Sequence, residues 1–384
     1  MKSKRWLLFV EDPGAVNYFL PIVEYFKINK INFRIWGGGK ALALFKKTGQ
    51  RIESYQQKSI SSLKAEDAVV LVGTSENQKS PSFSLLKWAK EKNILSVALV
   101  DSGINASYRF CGRSSYPLEH APDILLVPDK WALQKFEDLG FPRKKIGIVG
   151  YPARRTIGEK KPIGIIRKKL LPKNVADKMV ILFVSESPTG LCPDQFKKTK
   201  SFTLCGNSAS ENRTLIVIEE FLDAIRDAGI DESEKPYLIL RLHPKETKDH
   251  LASVLKEFNY ISRDEDPIEL ALCADLVIGM TSMLINEAYW AGCNCMVIVP
   301  RCEEKTWLPV VRSRHVPCAS NRPELKKLLA KKIKNIKKRH FRRLRTFPQL
   351  RKAPLKFTPI KMQEIIKHIK TKTFKKNSSL LSIH

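Results

Sequence analysis

Two stretches decide the fold: Tyr237-Leu238-Ile239-Leu240 running into Arg241-Leu242-His243-Pro244-Lys245, and Ala274 to Ile278 running into Gly279-Met280-Thr281-Ser282-Met283. Each is a short apolar run that breaks into turn and polar residues. Runs of this length suit strands of a parallel sheet covered on both faces. In such sheets ligands gather beyond the carboxyl ends of the strands. A histidine between cations at one strand end, and a Thr-Ser pair opening a helix at another, form the expected seat for a phosphate.

The same alternation continues on both sides. Strands are expected at 6–10, 33–36, 68–72, 95–100, 123–127 and 146–149, with helical spacing of apolar residues between them. After a Lys-rich connector, 157–178, the series restarts at 179–184 and continues through 237–240, 274–278 and 294–299. Helices are expected at 215–228, around 248–258, at 267–273 and at 283–290, and a polar loop, 188–213, is expected to overhang the ligand side. Strands alternating with helices imply right-handed crossovers. The expected class is α/β: two parallel-sheet domains facing a central cleft, 1–155 and 156–322, with a basic helical extension at 323–384.

A chain of 384 residues is too long for one ordinary core. With 43% hydrophobic and 28% charged residues it has the composition of a globular protein. No stretch approaches the roughly 18 apolar residues of a membrane span. The apolar start, Trp6 to Val10, runs straight into Glu11-Asp12-Pro13-Gly14 and reads as a first strand, so a cytoplasmic location is expected. The eight cysteines show no CxxC spacing, which argues against a metal site or a disulfide framework.

Of the net charge of +29, residues 321–384 contribute +19, from 21 Lys or Arg against Glu324 and Glu364. Within that stretch Leu328, Leu329, Ile333 and Ile336 share a helical face. A basic amphipathic helix fits an anionic membrane surface, and 323–376 is assigned that partner. Nucleic acid is the rival partner, not expected to be bound specifically. A helix packing back on the fold is the structural rival.

Candidate functional residues follow from the strand ends. Unpaired N–H groups and the helix dipole at Thr281-Ser282 suit a phosphate, or the hydroxyls simply cap the helix. Gly279 would let a ligand approach the backbone beside Met280, and Glu287, further along the helix, either accepts from ribose hydroxyls or is a solvent-exposed helix acid. His243, held extended by Pro244 and flanked by Arg241 and Lys245, is suited to neutralise a departing phosphate. Ser185, Glu186 and Ser187 occupy the matching strand end at the start of the second series. In the first, Asp101 is the preferred general base, with Asp12 and Glu11 in reserve. Gly14, Asn17, Gly73, Thr74 and Ser102 line the same side. Each acid has a competing role as a loop or helix cap.

These motifs resemble glycosyltransferases of the two-Rossmann GT-B fold, over roughly residues 5–320, and most nearly bacterial surface-polysaccharide enzymes. Sialyltransferases and polysialyltransferases of that fold carry an acidic-acidic-glycine motif, a His-Pro motif and a Ser/Thr pair, in that order. Asp101-Ser102-Gly103, His243-Pro244 and Thr281-Ser282 follow the order, with Ser102 standing where the family has a second acid. The resemblance implies Asp101 as base, His243 as phosphate contact or acid, and Thr281-Ser282 as the grip on a nucleotide-sugar donor, with an acceptor domain first and a donor domain second. It implies transfer to a glycan or lipid-linked acceptor in envelope polysaccharide synthesis. No cofactor or metal is expected, the helix dipole and cations neutralising the leaving phosphate, and the basic tail fits a place peripheral to the inner membrane. The non-hydrolysing UDP-N-acetylglucosamine 2-epimerases are similar in fold and share the His-Pro loop. They carry Ser-Gly-Gly where this chain has Met280-Thr281-Ser282.

Overall fold

The computed structural model describes residues 5–56, 60, 68–75, 77–152, 162–175, 177–187, 192–244, 246–337, 349, 351 and 356–380. The chain forms two compact units, Met1–Arg154 with Ala353–His384, and Arg155–Lys352. Both are Rossmann-like parallel-sheet α/β domains.

The first unit holds β1 (Arg5–Val10), β2 (Phe33–Gly37), β3 (Glu53–Ser54), β4 (Ala68–Gly73), β5 (Leu95–Leu99), β6 (Ile124–Val127) and β7 (Ile146–Ile148), in the order β3-β2-β1-β4-β5-β6-β7. All pairs are parallel, as crossover helices require. Alternate residues of each strand serve opposite faces. Leu8 and Val10 pack on the helices Pro13–Ile28, Gly39–Lys47 and Pro359–Leu380, while Leu7 and Phe9 pack on Pro81–Glu91 and Lys130–Asp138.

The second unit repeats the plan with β8 (Val180–Val184), β9 (Tyr237–Arg241), β10 (Tyr260–Ser262), β11 (Leu276–Gly279), β12 (Cys295–Ile298) and β13 (Cys318–Ala319), ordered β10-β9-β8-β11-β12-β13. Ile181 and Phe183 face the helices Arg213–Arg226 and Arg322–Lys337, and Val180, Leu182 and Val184 face Pro267–Cys273 and Met283–Trp290. In each sheet the chain winds outward both ways from a central pair, β1/β4 and β8/β11. Such switch points open a crevice at the strands' carboxyl ends.

A fully buried ion pair anchors the second sheet from its other end. Arg167 meets Asp275 at 3.1 Å, and the same carboxylate accepts the Val180 N–H at 2.8 Å.

The helix expected at 248–258 is corrected: the stretch forms two 3-10 turns, Lys248–Leu251 and Leu255–Glu257. Within the loop expected at 188–213, residues 203–208 are tied to the fold. The N–H groups of Cys205 and Gly206 donate to Glu220 at 3.1 and 3.0 Å, and those of Asn207 and Ser208 to Glu219 at 2.8 and 3.1 Å. The basic stretch is divided between the units. Leu325, Leu329, Ile333 and Ile336 enter the core of the second, and Phe357, Met362, Ile366 and Ile369 that of the first. Among the described residues no helix is long and apolar enough to cross a membrane.

Candidate functional site

In the second unit, Ser185 leaves β8 beside the end of β9, because Val184 and Arg241 are register partners. The Ser185 N–H donates to the Arg241 carbonyl at 3.0 Å, and its hydroxyl receives the His243 N–H at 2.9 Å. Glu246 closes the turn: its N–H donates to the His243 carbonyl at 2.9 Å, and its carboxyl meets the Ser185 hydroxyl and lies 3.3 Å from the His243 nitrogen. His243 is thus positioned through its backbone, with its half-buried imidazole at the sheet's carboxyl edge. Burial is the main cause that pushes the Glu246 carboxyl up to about 7, against its hydrogen bonds from Ser185 and His243.

The two hydroxyls of the Thr-Ser pair take separate partners. Thr281, buried, gives both its N–H and its hydroxyl to Glu186, the hydroxyl lying 3.0 Å from each carboxylate oxygen. Glu186 in turn meets Arg213 at 2.6 Å, and Arg213 also binds Glu304, which accepts from Arg301 at 2.6 Å. Two arginines and two glutamates therefore alternate inside the fold. Burial alone would lower the Arg213 proton affinity, but Glu304 and Glu186 outweigh it and hold the charge above the ordinary arginine range. Ser282 is the true N-cap of Met283–Trp290, accepting the Leu284 N–H at 3.3 Å. It stays partly exposed, as does Glu287 on the same helix.

The remaining donor-side candidates separate. Met280 is fully buried in the core, so it offers a ligand no side chain. A side chain at Gly279 would meet Ile285 at 2.9 Å, so the glycine lets the following helix pack closely on β11. The Arg241 guanidinium turns outward along the sheet, to Ser262 at 2.9 Å and Glu265 at 3.6 Å. Ser187 is partly buried, Pro244 is exposed, and Lys245 lies outside the described residues.

In the first unit, Asp101 beyond β5 lies against the opening of the helix Pro13–Ile28. A Cβ at Gly14 would run into its Oδ2, so the carboxylate sits close against the helix backbone at that glycine. Buried Arg109 pairs with Asp101 at 3.3 Å and is itself tied to the Ile104 carbonyl at 3.4 and 3.3 Å. Asp12 precedes that helix without capping it, and Asn17 is partly buried one turn on. Glu11 is committed elsewhere, accepting from Asn77 at 2.6 Å and Ser80 at 2.7 Å. Gly73 packs against Ala15, which a Cβ would approach to 2.7 Å. Thr74 is buried, with no hydrogen-bond partner for its hydroxyl among the described residues, and Ser102 receives the Ile104 N–H at 3.2 Å.

Thus Asp101 and Gly14 come together in one unit, and Ser185, Glu186, His243, Thr281 and Ser282 in the other. Sequence reasoning missed Arg109, Arg213, Glu246 and Glu304. Glu246 alone carried a signal, three residues beyond His243 in the same turn.

No family model and no curated protein matches the chain. Among solved structures it is similar to the HepE protein of Anabaena in complex with UDP-glucose, at 13% identity and TM-score 0.58 over 95% of this chain and 99% of that one. It is similar to the UDP-GlcNAc 2-epimerase of Methanocaldococcus jannaschii in complex with UDP-GlcNAc and UDP, at 14% identity and TM-score 0.56 over 96% and 99%. A glycosyltransferase from Rickettsia africae matches over 100% of both chains at 13% identity and TM-score 0.52. What the chain shares with them is a fold of two Rossmann-like parallel-sheet domains.

Proposed function

We propose that the protein is a nucleotide-sugar enzyme, and within that class a glycosyltransferase moving a sugar to a glycan or lipid-linked acceptor of the bacterial envelope. The observation that carries this reading is the switch-point edge of the second sheet. There the backbone-locked His243, the partly exposed Ser282 and the first turn of the helix Met283–Trp290 all stand at the carboxyl ends of the strands. A diphosphate placed there is met by the helix dipole and by imidazole, which donates to the departing oxygen. Asp101 in the first unit takes the acceptor's proton, its carboxylate held by Arg109. Fold neighbours solved with UDP-glucose and UDP-GlcNAc support the choice of ligand class.

The 2-epimerase reading stands second, because such an enzyme is among those neighbours. Nucleoside diphosphate at about 100-fold its Kd is expected to stabilise the protein by about 2.7 kcal/mol. A thermal-shift series with UDP, CDP, GDP, ADP and CMP measures this, and no response to any of them removes the nucleotide-sugar assignment. Incubation with UDP-GlcNAc alone then separates the two activities: appearance of the manno epimer means epimerase.

Membrane attachment is part of the same proposal. The helix Arg322–Lys337 buries its apolar face and exposes Lys327, Lys331 and Lys334, each worth about 1 kcal/mol near an anionic surface. Co-flotation with phosphatidylglycerol vesicles at low salt, lost at high salt, is the expected result. Equal recovery with neutral vesicles contradicts it.

A further inference from the structure

We propose that Glu246 is a positioning residue of the phosphate site, setting the His243 backbone through Ser185 and taking up a proton when a nucleoside diphosphate binds. The inference rests on the donor-binding reading above and adds to it a linkage between binding and protonation.

The hydrogen-bond accounting carries it. The Ser185 hydroxyl owns one proton and has three neighbours: the His243 N–H at 2.9 Å, the Arg241 carbonyl at 3.0 Å, and the Glu246 carboxyl. With Glu246 protonated, its O–H donates to Ser185, Ser185 donates to Arg241, and His243 donates to Ser185. All three contacts are then bonds. With Glu246 ionised, Ser185 must turn its proton to the carboxylate, and its contact with the Arg241 carbonyl ceases to be a bond. The second carboxyl oxygen, Oε1, is buried with no partner among the described residues, which is costly for a charged group and far less so for a neutral one.

The charged groups around Glu246 bear on the same choice. Glu186, on the neighbouring strand end, disfavours a second negative charge. Arg263, after β10, favours one, while its guanidinium donates to the Glu246 backbone carbonyl. Arg241 is engaged by Ser262 and Glu265. The His243 imidazole stands on the same turn. A diphosphate beside His243 brings further negative charge, and so favours the neutral carboxyl. Titration near 7 leaves Glu246 largely ionised at pH 8 before ligand arrives, so the proton is taken up on binding.

Isothermal titration of the full chain with UDP, in two buffers of different ionisation enthalpy at pH 7.5, tests this. Wild type is expected to take up a fraction of one proton per UDP, and its Kd to weaken at least threefold from pH 6 to pH 8.5. Glu246→Gln supplies a neutral donor to Ser185. It is expected to bind with less proton uptake than wild type, the remainder belonging to the His243 imidazole and the terminal phosphate, and with a shallower pH dependence of Kd. UDP binding without proton uptake by wild type overturns the inference, and that result needs no variant. Uptake that persists unchanged in Glu246→Gln assigns the proton to another group, such as His243, and overturns it equally. Failure to bind UDP or any other nucleotide at all pH values instead removes the donor-site reading beneath it.

Discussion

Arg213→Ala is expected to destabilise the second unit by about 3–5 kcal/mol, the cost typical of removing one partner from a buried ionic network. Arg213 is 1% exposed and is held by Glu186 at 2.6 Å and by Glu304. Without it, two carboxylates remain inside the fold with Arg301 as the only arginine of the set. Glu186 would then lose the charge that keeps it facing Thr281, and the turn between β11 and its helix would loosen with it. Chemical denaturation, followed by a probe in the second unit, checks the magnitude. Arg213→Lys keeps the charge but not the forked donor geometry and is expected to recover only part of the loss. A change below about 1 kcal/mol for the alanine variant would mean that the network contributes little to holding the unit together. The converse substitution is informative too, since well-packed apolar replacements of a whole buried ionic set are often neutral or stabilising.

The sheets were legible in the sequence because their central strands are continuous apolar runs, and burial on both faces demands such runs. Three strands escaped notice: β3, β10 and β13. Each lies at a sheet edge and pairs over only two or three residues. They are too short for an apolar run to show: Glu53 and Tyr260 are exposed, and the buried Ser262 and Ala319 are small or polar. The expected helix at 248–258 failed for a related reason. Leu251, Val254 and Phe258 recur at helical spacing and are buried, but two separate turns suffice to point them inward. The candidate site was legible by position and less so by role. Strand ends located His243, Asp101 and Thr281, since a parallel sheet brings its carboxyl ends to one edge. What each hydroxyl or carboxylate binds depends on partners far away in sequence. Thr281 is claimed by Glu186, 95 residues earlier, and Glu11 by Ser80, 69 residues later. Nothing local to Thr281 or Glu11 encodes those partners.

His243→Ala is expected to lower kcat/KM for sugar transfer by about 10²–10⁴-fold, the range typical of losing a positioned acid or base. The variant keeps the backbone hydrogen bonds that hold the loop, since these involve no atom of the imidazole ring. Ser185 and Glu246 hold position 243 through its N–H and carbonyl, which alanine retains, and Pro244 keeps the preceding backbone extended. The side chain is only half-buried, so its removal is expected to leave unfolding within about 0.5 kcal/mol of wild type. A loss of turnover in a fully folded protein therefore reports on the reaction. Nucleotide binding separates the two roles that an imidazole can play here. If it only grips the phosphate, UDP affinity falls in step with kcat/KM. If it also gives its proton to the departing oxygen, kcat falls further than affinity does, because that interaction strengthens only as the bond breaks. The second pattern is the expected one. Undiminished transfer by folded His243→Ala would strip His243 of any part in the chemistry and leave the helix amides and Ser282 to meet the phosphate alone.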